Sequence, residues 1–243
     1  MITANQKKFV KSLGQKKFRT EYNSFIVEGE KVLSELLQSD FEIESIFATQ
    51  PWIELNLNLA VECIEVSQKE LNSISSLKTP NNILAIVKQK NNQLVDLSSQ
   101  LTIALDTIQD PGNLGTIIRT ADWFGIKNII CSSDSVDVYN PKVMQATMGS
   151  FFRVSVHYIN LREFFSKNKK LTVFGGLLDG ENIYKKELNS KGSILLLGNE
   201  SKGISNELIP FITDKIFIPK FGKAESLNVA MATAILCSEF ARR

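Results

Sequence analysis

Histidine is almost missing from this chain: His157 is the only one in 243 residues. Histidine-based metal sites and Ser-His-Asp chemistry depend on that side chain as ligand or base, so neither is expected and no metal is assigned. His157 itself lies in the alternating run "RVSVHYI" and reads as a structural strand residue. Cysteine is scarce too. Cys63, Cys131 and Cys237 are far apart and odd in number, which argues against a disulfide framework and for a reducing cytoplasm. No apolar run approaches the roughly 18 residues that a membrane span needs. The opening segment "MITANQKKFVKSLGQKKFRT" lacks the apolar stretch of a signal peptide. Net charge is small as well, formally +2, and by itself decides nothing about nucleic acid.

What is present is patterned. Hydrophobic residues make up 43% of the chain, enough for a core and too many for a disordered protein. Lys7, Lys8, Lys11, Lys16, Lys17 and Arg19 crowd the first twenty residues, with no acid among them. Such a cluster is either a phosphate footprint or a solvated helix face. After it the chain alternates. "SFIVEG", "IESIFAT", "VECIEVS" and "NILAIVKQ" read as strands, and "EKVLSELLQS" and "KELNSISSL" as helices. This predicts a small α/β domain over residues 1–95. The polar stretch "KNNQLVDLSSQ" reads as a linker.

A second α/β domain is predicted over residues 98–243. "LTIAL", "KNIICS", "FRVSVHY", "LTVFGG", "SILLLG" and "KIFIP" are short apolar runs, as in a parallel sheet covered on both faces. In such sheets ligands bind beyond the carboxyl ends of the strands, so the turns after four of these runs become the candidates. "DPGNLGTIIRTADWFG" follows "LTIAL". Its Gly112 and Gly115 lack the spacing of a dinucleotide loop. A KH-type clamp would join two helices, whereas a strand precedes this one. A plain structural turn is the third reading. "GNESKGIS" has P-loop glycine spacing, but Ile204 stands where the lysine belongs, so nucleotide triphosphate binding is rejected. "IPKFGKAESLNVAMATAILCSEFARR" places Ser226 as a cap before a terminal helix whose Ala230, Ala234 and Cys237 permit close packing.

Taken together and in that order, "DPGNLGTIIRTADWFG", "LLLGNESKGIS" and "IPKFGKAESLNVAMATAI" resemble the three motifs of the SpoU/TrmH branch of RNA 2′-O-ribose methyltransferases. The leading region, with "KKFRTEYNSFIVEGEKVLSELL" and "TPNNILAIV", is similar to the ribosomal-protein-like RNA-binding domain that many members carry. The resemblance implies a deep trefoil knot in the C-terminal domain and S-adenosylmethionine as methyl donor. It implies a cofactor pocket at the loop after "LTVFGG" and at Leu197, Gly198, Ile218 and Leu227. It implies a catalytic set of Asn113, Arg119, Glu200, Ser226 and Asn228, all matching the motifs, with Glu200 and Ser226 orienting the arginine. It further implies a homodimer through the catalytic domain. The implied substrate is ribosomal RNA, held by Lys7, Lys8, Lys11, Lys16, Lys17 and Arg19. A tRNA 2′-O-methyltransferase and a non-catalytic RNA-binding assembly factor are the alternatives. Two roles stay open for Arg119: general base, or electrostatic clamp on phosphate and alkoxide.

Overall fold

The computed structural model describes residues 2–56, 61–90, 97 and 99–242. The chain opens with α1 (Ala4–Ser12), α2 (Lys16–Tyr22), β1 (Ser24–Glu28), α3 (Glu30–Leu37) and β2 (Ile43–Ala48). It continues with α4 (Gln50–Leu55), β3 (Cys63–Glu65), α5 (Gln68–Ile74) and β4 (Ile83–Lys88). Then come β5 (Thr102–Leu105), α6 (Pro111–Trp123), β6 (Asn128–Ser132) and α7 (Pro141–Thr147). The last elements are β7 (Ser155–Ile159), α8 (Leu161–Lys167), β8 (Thr172–Asn182), β9 (Ser193–Leu197), β10 (Asp214–Phe217) and α9 (Val229–Ala241). Most of the predicted linker falls on 91–96 and 98, outside the described residues.

Two compact units result. The first comprises Met1–Asn91 together with Asp137–Phe152. Its sheet has the order β1-β4-β2-β3, antiparallel except for the β2–β3 pair. Helix starts follow local chemistry. Thr3 caps α1 and Gln6 answers it, and Ser67 and Glu70 do the same for α5. Val10, Leu13, Ile26, Phe47, Leu71 and Leu84 form the core.

Residues 137–152 belong to this first unit, although the sequence grouped them with the second domain. Aromatic packing explains the difference. Phe25 of β1 meets Tyr139 at 4.7 Å and Phe151 at 5.8 Å between ring centroids. The Gln145 side chain also donates to the Glu28 carbonyl at 3.0 Å. Area burial and hydrogen bonding of this kind outweigh chain order.

The second unit holds a six-stranded sheet of order β10-β8-β9-β5-β6-β7, and every pairing is parallel. β5 and β9 are buried along their whole lengths, as the continuous apolar runs require. α6 buries Leu114, Ile117, Ile118 and Ala121 and packs beside α9. His157 lies buried in β7, with its Nε2 3.4 Å from the Asn128 amide oxygen.

Two local expectations fail. "GNLG" is not a loop: Asp110 caps α6, Pro111 takes the first helical position, and both glycines lie inside the helix. Arg119 therefore sits about two turns into α6. β8 runs on past "LTVFGG" to Asn182, but Gly175 pairs with Lys215 and Glu181 with Ile216. Residues 176–180 have no counterpart on β10, so the chain swells out of register where a loop was expected.

Candidate active site

The strand ends of the second unit frame a cleft of about 920 Å³. Leu197 and Gly198 line it at the end of β9, Ile218 just after β10, and Leu227 before α9. The out-of-register bulge of β8 adds Gly176 to Asp179. All four residues assigned to the cofactor pocket thus face one cavity. Leu227 is half exposed and Leu197 is buried.

Gly198 is glycine for a steric reason. A side chain there would meet the backbone of Gly203 and Ile204 at 2.1–2.3 Å. The missing Cβ makes room for the loop's own return, which is fastened by paired backbone hydrogen bonds between Asn199 and Gly203. Gly203 completes the turn at φ 69°.

At the rim the three motifs are joined by side chains. Asn113 Nδ2 donates to Glu200 Oε1 at 2.6 Å, and Asn228 Nδ2 donates to Asn113 Oδ1 at 2.9 Å. Asn228 Oδ1 in turn accepts from the Ala230 and Met231 N–H groups. Asn228, not Ser226, is therefore the cap of α9. The chain runs carboxylate, amide, amide, helix N-terminus, and at each link an N–H donates to an oxygen.

Ser226 lines the cleft and is exposed. Arg119 is exposed on α6, about 9 Å along the helix from Asn113. Its side chain makes no hydrogen bond or ion pair among the described residues, so Glu200 and Ser226 do not orient it. Glu200 is instead bonded to Asn113.

A hub behind the rim escaped the sequence reading. Asp106 is buried just past β5; its N–H donates to the Leu197 carbonyl at 2.9 Å, and its Oδ2 accepts from the Ser205 N–H at 2.7 Å. Thr107 follows at φ 57°, a costly conformation for a β-branched residue. Its N–H donates to Ser132 Oγ, and its carbonyl accepts from Asn199 Nδ2 at 2.9 Å. Its hydroxyl lies 3.1 Å from both Asp106 Oδ1 and Asp134 Oδ2. A hydrogen bond from Ser132, helped by the backbone at Asp134 and least by Thr107, holds the Asp134 carboxyl below its usual range against the opposing effect of desolvation. The Asn199 oxygen accepts from the Ser201 and Lys202 N–H groups, an Asx turn that shapes the loop bearing Glu200. The signals were an aspartate straight after a buried strand and an asparagine in a glycine turn.

The basic cluster lies on α1 and α2 of the first unit. Lys8, Lys11, Lys16 and Lys17 are exposed and Lys7 is partly so. Arg19 is a correction. It is 2% exposed, pairs with Asp137 at 2.6 Å, and donates to the Leu13 carbonyl. A buried, paired guanidinium has no free face for a phosphate. Among the described residues no cluster of acidic, cysteine and histidine side chains could hold a metal, and no helix is long and apolar enough to cross a membrane.

Known proteins share this arrangement. The model of the SpoU rRNA methylase family matches residues 100–238, and that of an MRM3-like substrate binding domain matches residues 5–85. The 23S rRNA (guanosine(2553)-2'-O)-methyltransferase RlmP of Bacillus subtilis is 33% identical, over 96% of this chain and 94% of its own. A TrmH-family structure from Porphyromonas gingivalis superposes with TM-score 0.91 at 38% identity, covering 100% of this chain and 99% of that one. An AdoMet-bound rRNA methyltransferase from Sinorhizobium meliloti does so with TM-score 0.88 at 31% identity, covering 100% and 96%. With its three motifs joined at one cleft and its match to the family across residues 100–238, the chain belongs to the SpoU rRNA methylase family.

Proposed function

We propose that this protein methylates a ribose 2′-hydroxyl of ribosomal RNA in the cytoplasm, with S-adenosylmethionine as donor. The observation that carries this reading is the Asn113–Glu200–Asn228 chain at the rim of the cleft. It brings all three motifs to one place, which a binding module has no chemical need to do. The target class rests on full-length similarity to rRNA enzymes and on the leading substrate-binding match. A tRNA target has no comparable support.

The residues fit the cofactor. Leu197, Ile218 and Leu227 offer apolar walls, the backbone at Gly176 and Gly198 offers polar groups, and the volume lies in the range of ligand pockets. When bound, S-adenosylmethionine supplies an electrophilic methyl group. The work of this chain is alignment, which contributes on the order of 7–11 kcal/mol in well-oriented reactions. Asn113 is fixed by two partners and offers a rigid amide edge to the ribose. Arg119 is exposed and has no side-chain partner among the described residues. A guanidinium keeps its proton in proteins, so its positive fork suits the flanking phosphate and the oxygen that becomes negative. This favours the clamp over the general base.

The same reading covers assembly and topology. Trp123 on α6 and Met231 on α9 are 84% and 58% exposed, and α9 is apolar on most of its sides. Surfaces of this kind support a homodimer through the second unit. The trefoil knot is supported by family membership and by the late strand β10 pairing beside β8 at the edge of the sheet. Methyl transfer from labelled donor to rRNA from cells lacking the protein, followed by mapping, tests the proposal. A single new 2′-O-methyl site on rRNA is expected. Labelling of tRNA alone, or of no RNA with cofactor bound, would overturn it.

A further inference from the structure

The first unit leaves an aromatic surface open beside its lysines. Tyr22 ends α2 and is 41% exposed. Its ring meets Phe9 of α1 edge-on at 5.0 Å and lies parallel to Phe18 at 6.2 Å. Phe9 and Phe18 are half-buried, and Phe9 rests on the unit's core. Tyr22 is not a member of the buried core, and part of its ring stays open to solvent.

The charge around them is one-sided. Lys7, Lys8, Lys11, Lys16 and Lys17 share these two helices, and Glu21 is the one acid on them. None of the five lysines forms an ion pair among the described residues. Lys17 Nζ stands 5.6 Å from the centre of the Phe18 ring. Lys16 and Lys17 occupy the first turn of α2, where the helix dipole disfavours cations. The fold gains nothing from this placement.

We propose that Tyr22, supported by Phe18 and Phe9, is a stacking platform for an unpaired base of RNA whose phosphates the lysines hold. The inference rests on the RNA-directed reading above and deepens it. Single-stranded RNA is a polyanion with exposed flat apolar faces, and it matches both halves of this surface. A duplex presents the same charge but hides its base faces, so the platform directs the unit to loops and bulges. Lysines set how steeply binding falls with salt, whereas a stacking ring adds affinity without releasing counterions.

The test measures the full-length protein against a short oligoadenylate and an RNA duplex over a salt titration. Tyr22→Leu keeps an apolar side chain and removes the ring; Tyr22→Phe keeps the ring. Tyr22→Leu is expected to weaken oligoadenylate binding about 5- to 100-fold, the range for one lost base stack. The salt slope and duplex affinity should stay unchanged, and Tyr22→Phe should bind as the parent does. Equal affinity of Tyr22→Leu and parent for oligoadenylate would overturn the platform while leaving RNA binding by the lysines intact. So would an equal loss on the duplex. A parent that binds neither RNA would overturn the RNA reading itself. Binding of the parent to phosphatidylserine vesicles that depends on Tyr22, with no effect on RNA, would reassign the surface to lipid.

Discussion

In the proposed reaction Arg119 is the electrostatic clamp, and its surroundings make a specific forecast. It is exposed on α6 and has no side-chain partner among the described residues, so its planar fork is open to a ligand. Lysine in its place keeps the charge and loses the planar fork. Arg119→Lys should lower single-turnover methylation by about 10²–10³, the usual loss for one electrostatic donor, and leave the pH profile where it is. Arg119→Ala should bind S-adenosylmethionine normally and be nearly inactive. A profile moved to lower pH in the lysine variant would restore the general-base role. The thiols give a second residue-level test. Burial pushes the Cys237 thiol up to about 12 and the Cys131 thiol higher, because a thiolate loses solvation there. Cys63 is half-buried and raised less, again by desolvation. Ellman's reagent should therefore modify one thiol in the native protein, and Cys63→Ser should abolish that fast phase. The place of the cleft was legible in the sequence: Asn113 and Glu200 stand beside glycine turns that follow apolar strands, where ligands bind in parallel sheets. Asn228 has no such signal and was marked only by the motif resemblance. Thr107 was not legible, because a positive φ held by Ser132, Asp134 and Asn199 is a property of three distant segments meeting.

Among the elements, α9 depends on a residue that also belongs to the site. Asn228 caps the helix with its oxygen and holds Asn113 with its nitrogen. Asn228→Ala loses both functions; Asn228→Asp keeps the cap and loses the donor. The alanine variant should lose about 1 kcal/mol of stability, read as a lower midpoint in urea. The aspartate variant should keep the midpoint closer to the parent and still lose activity. A second element-level forecast concerns the joint between β8 and β10. Lys186 Nζ lies 2.6 Å from Asp214 and 3.0 Å from Glu181. The hydrogen bond from Lys186, with smaller help from Thr213, holds the Asp214 carboxyl below its ordinary value of 3.8. A lowered folded value means that the stabilisation is complete above the unfolded value and is lost as pH falls through the folded one. Asp214→Asn should thus cost stability at about pH 7 and cost progressively less toward about pH 3. Urea midpoints at both pH values check the sign. Helix starts were partly readable: Asp110-Pro111 and Asn140-Pro141 are a cap followed by proline at the first helical position. In the first of these Gly112 and Gly115 point to a turn, but the Asp110 cap and Pro111 start a helix through them.

At the scale of the whole molecule, the chain forms two compact units with separate cores, to which the proposed function assigns recognition and chemistry. That separation was legible as two alternating patterns with a polar stretch between them. The return of residues 137–152 to the first unit was not, since it depends on Phe25, Tyr139 and Phe151 finding one another across more than a hundred residues of chain. Separate cores make the two functions separable by substitution. Gly198→Val would drive a side chain into the Gly203–Ile204 backbone, and the loop at the cleft must then open. Lys7, Lys8, Lys16 and Lys17, to be neutralised to glutamine, lie on α1 and α2 of the first unit and are exposed or partly so. The glycine variant should lose S-adenosylmethionine binding by calorimetry and retain the parent's affinity for RNA. The lysine variant should keep cofactor affinity and show weaker RNA binding with a flatter salt dependence, by somewhat less than one counterion for each lysine that meets a phosphate. Loss of RNA binding in the glycine variant, or of cofactor binding in the lysine variant, would mean that each unit completes the other's site. The two sets of substitutions, combined in one chain, would then cost less than the sum of their separate effects.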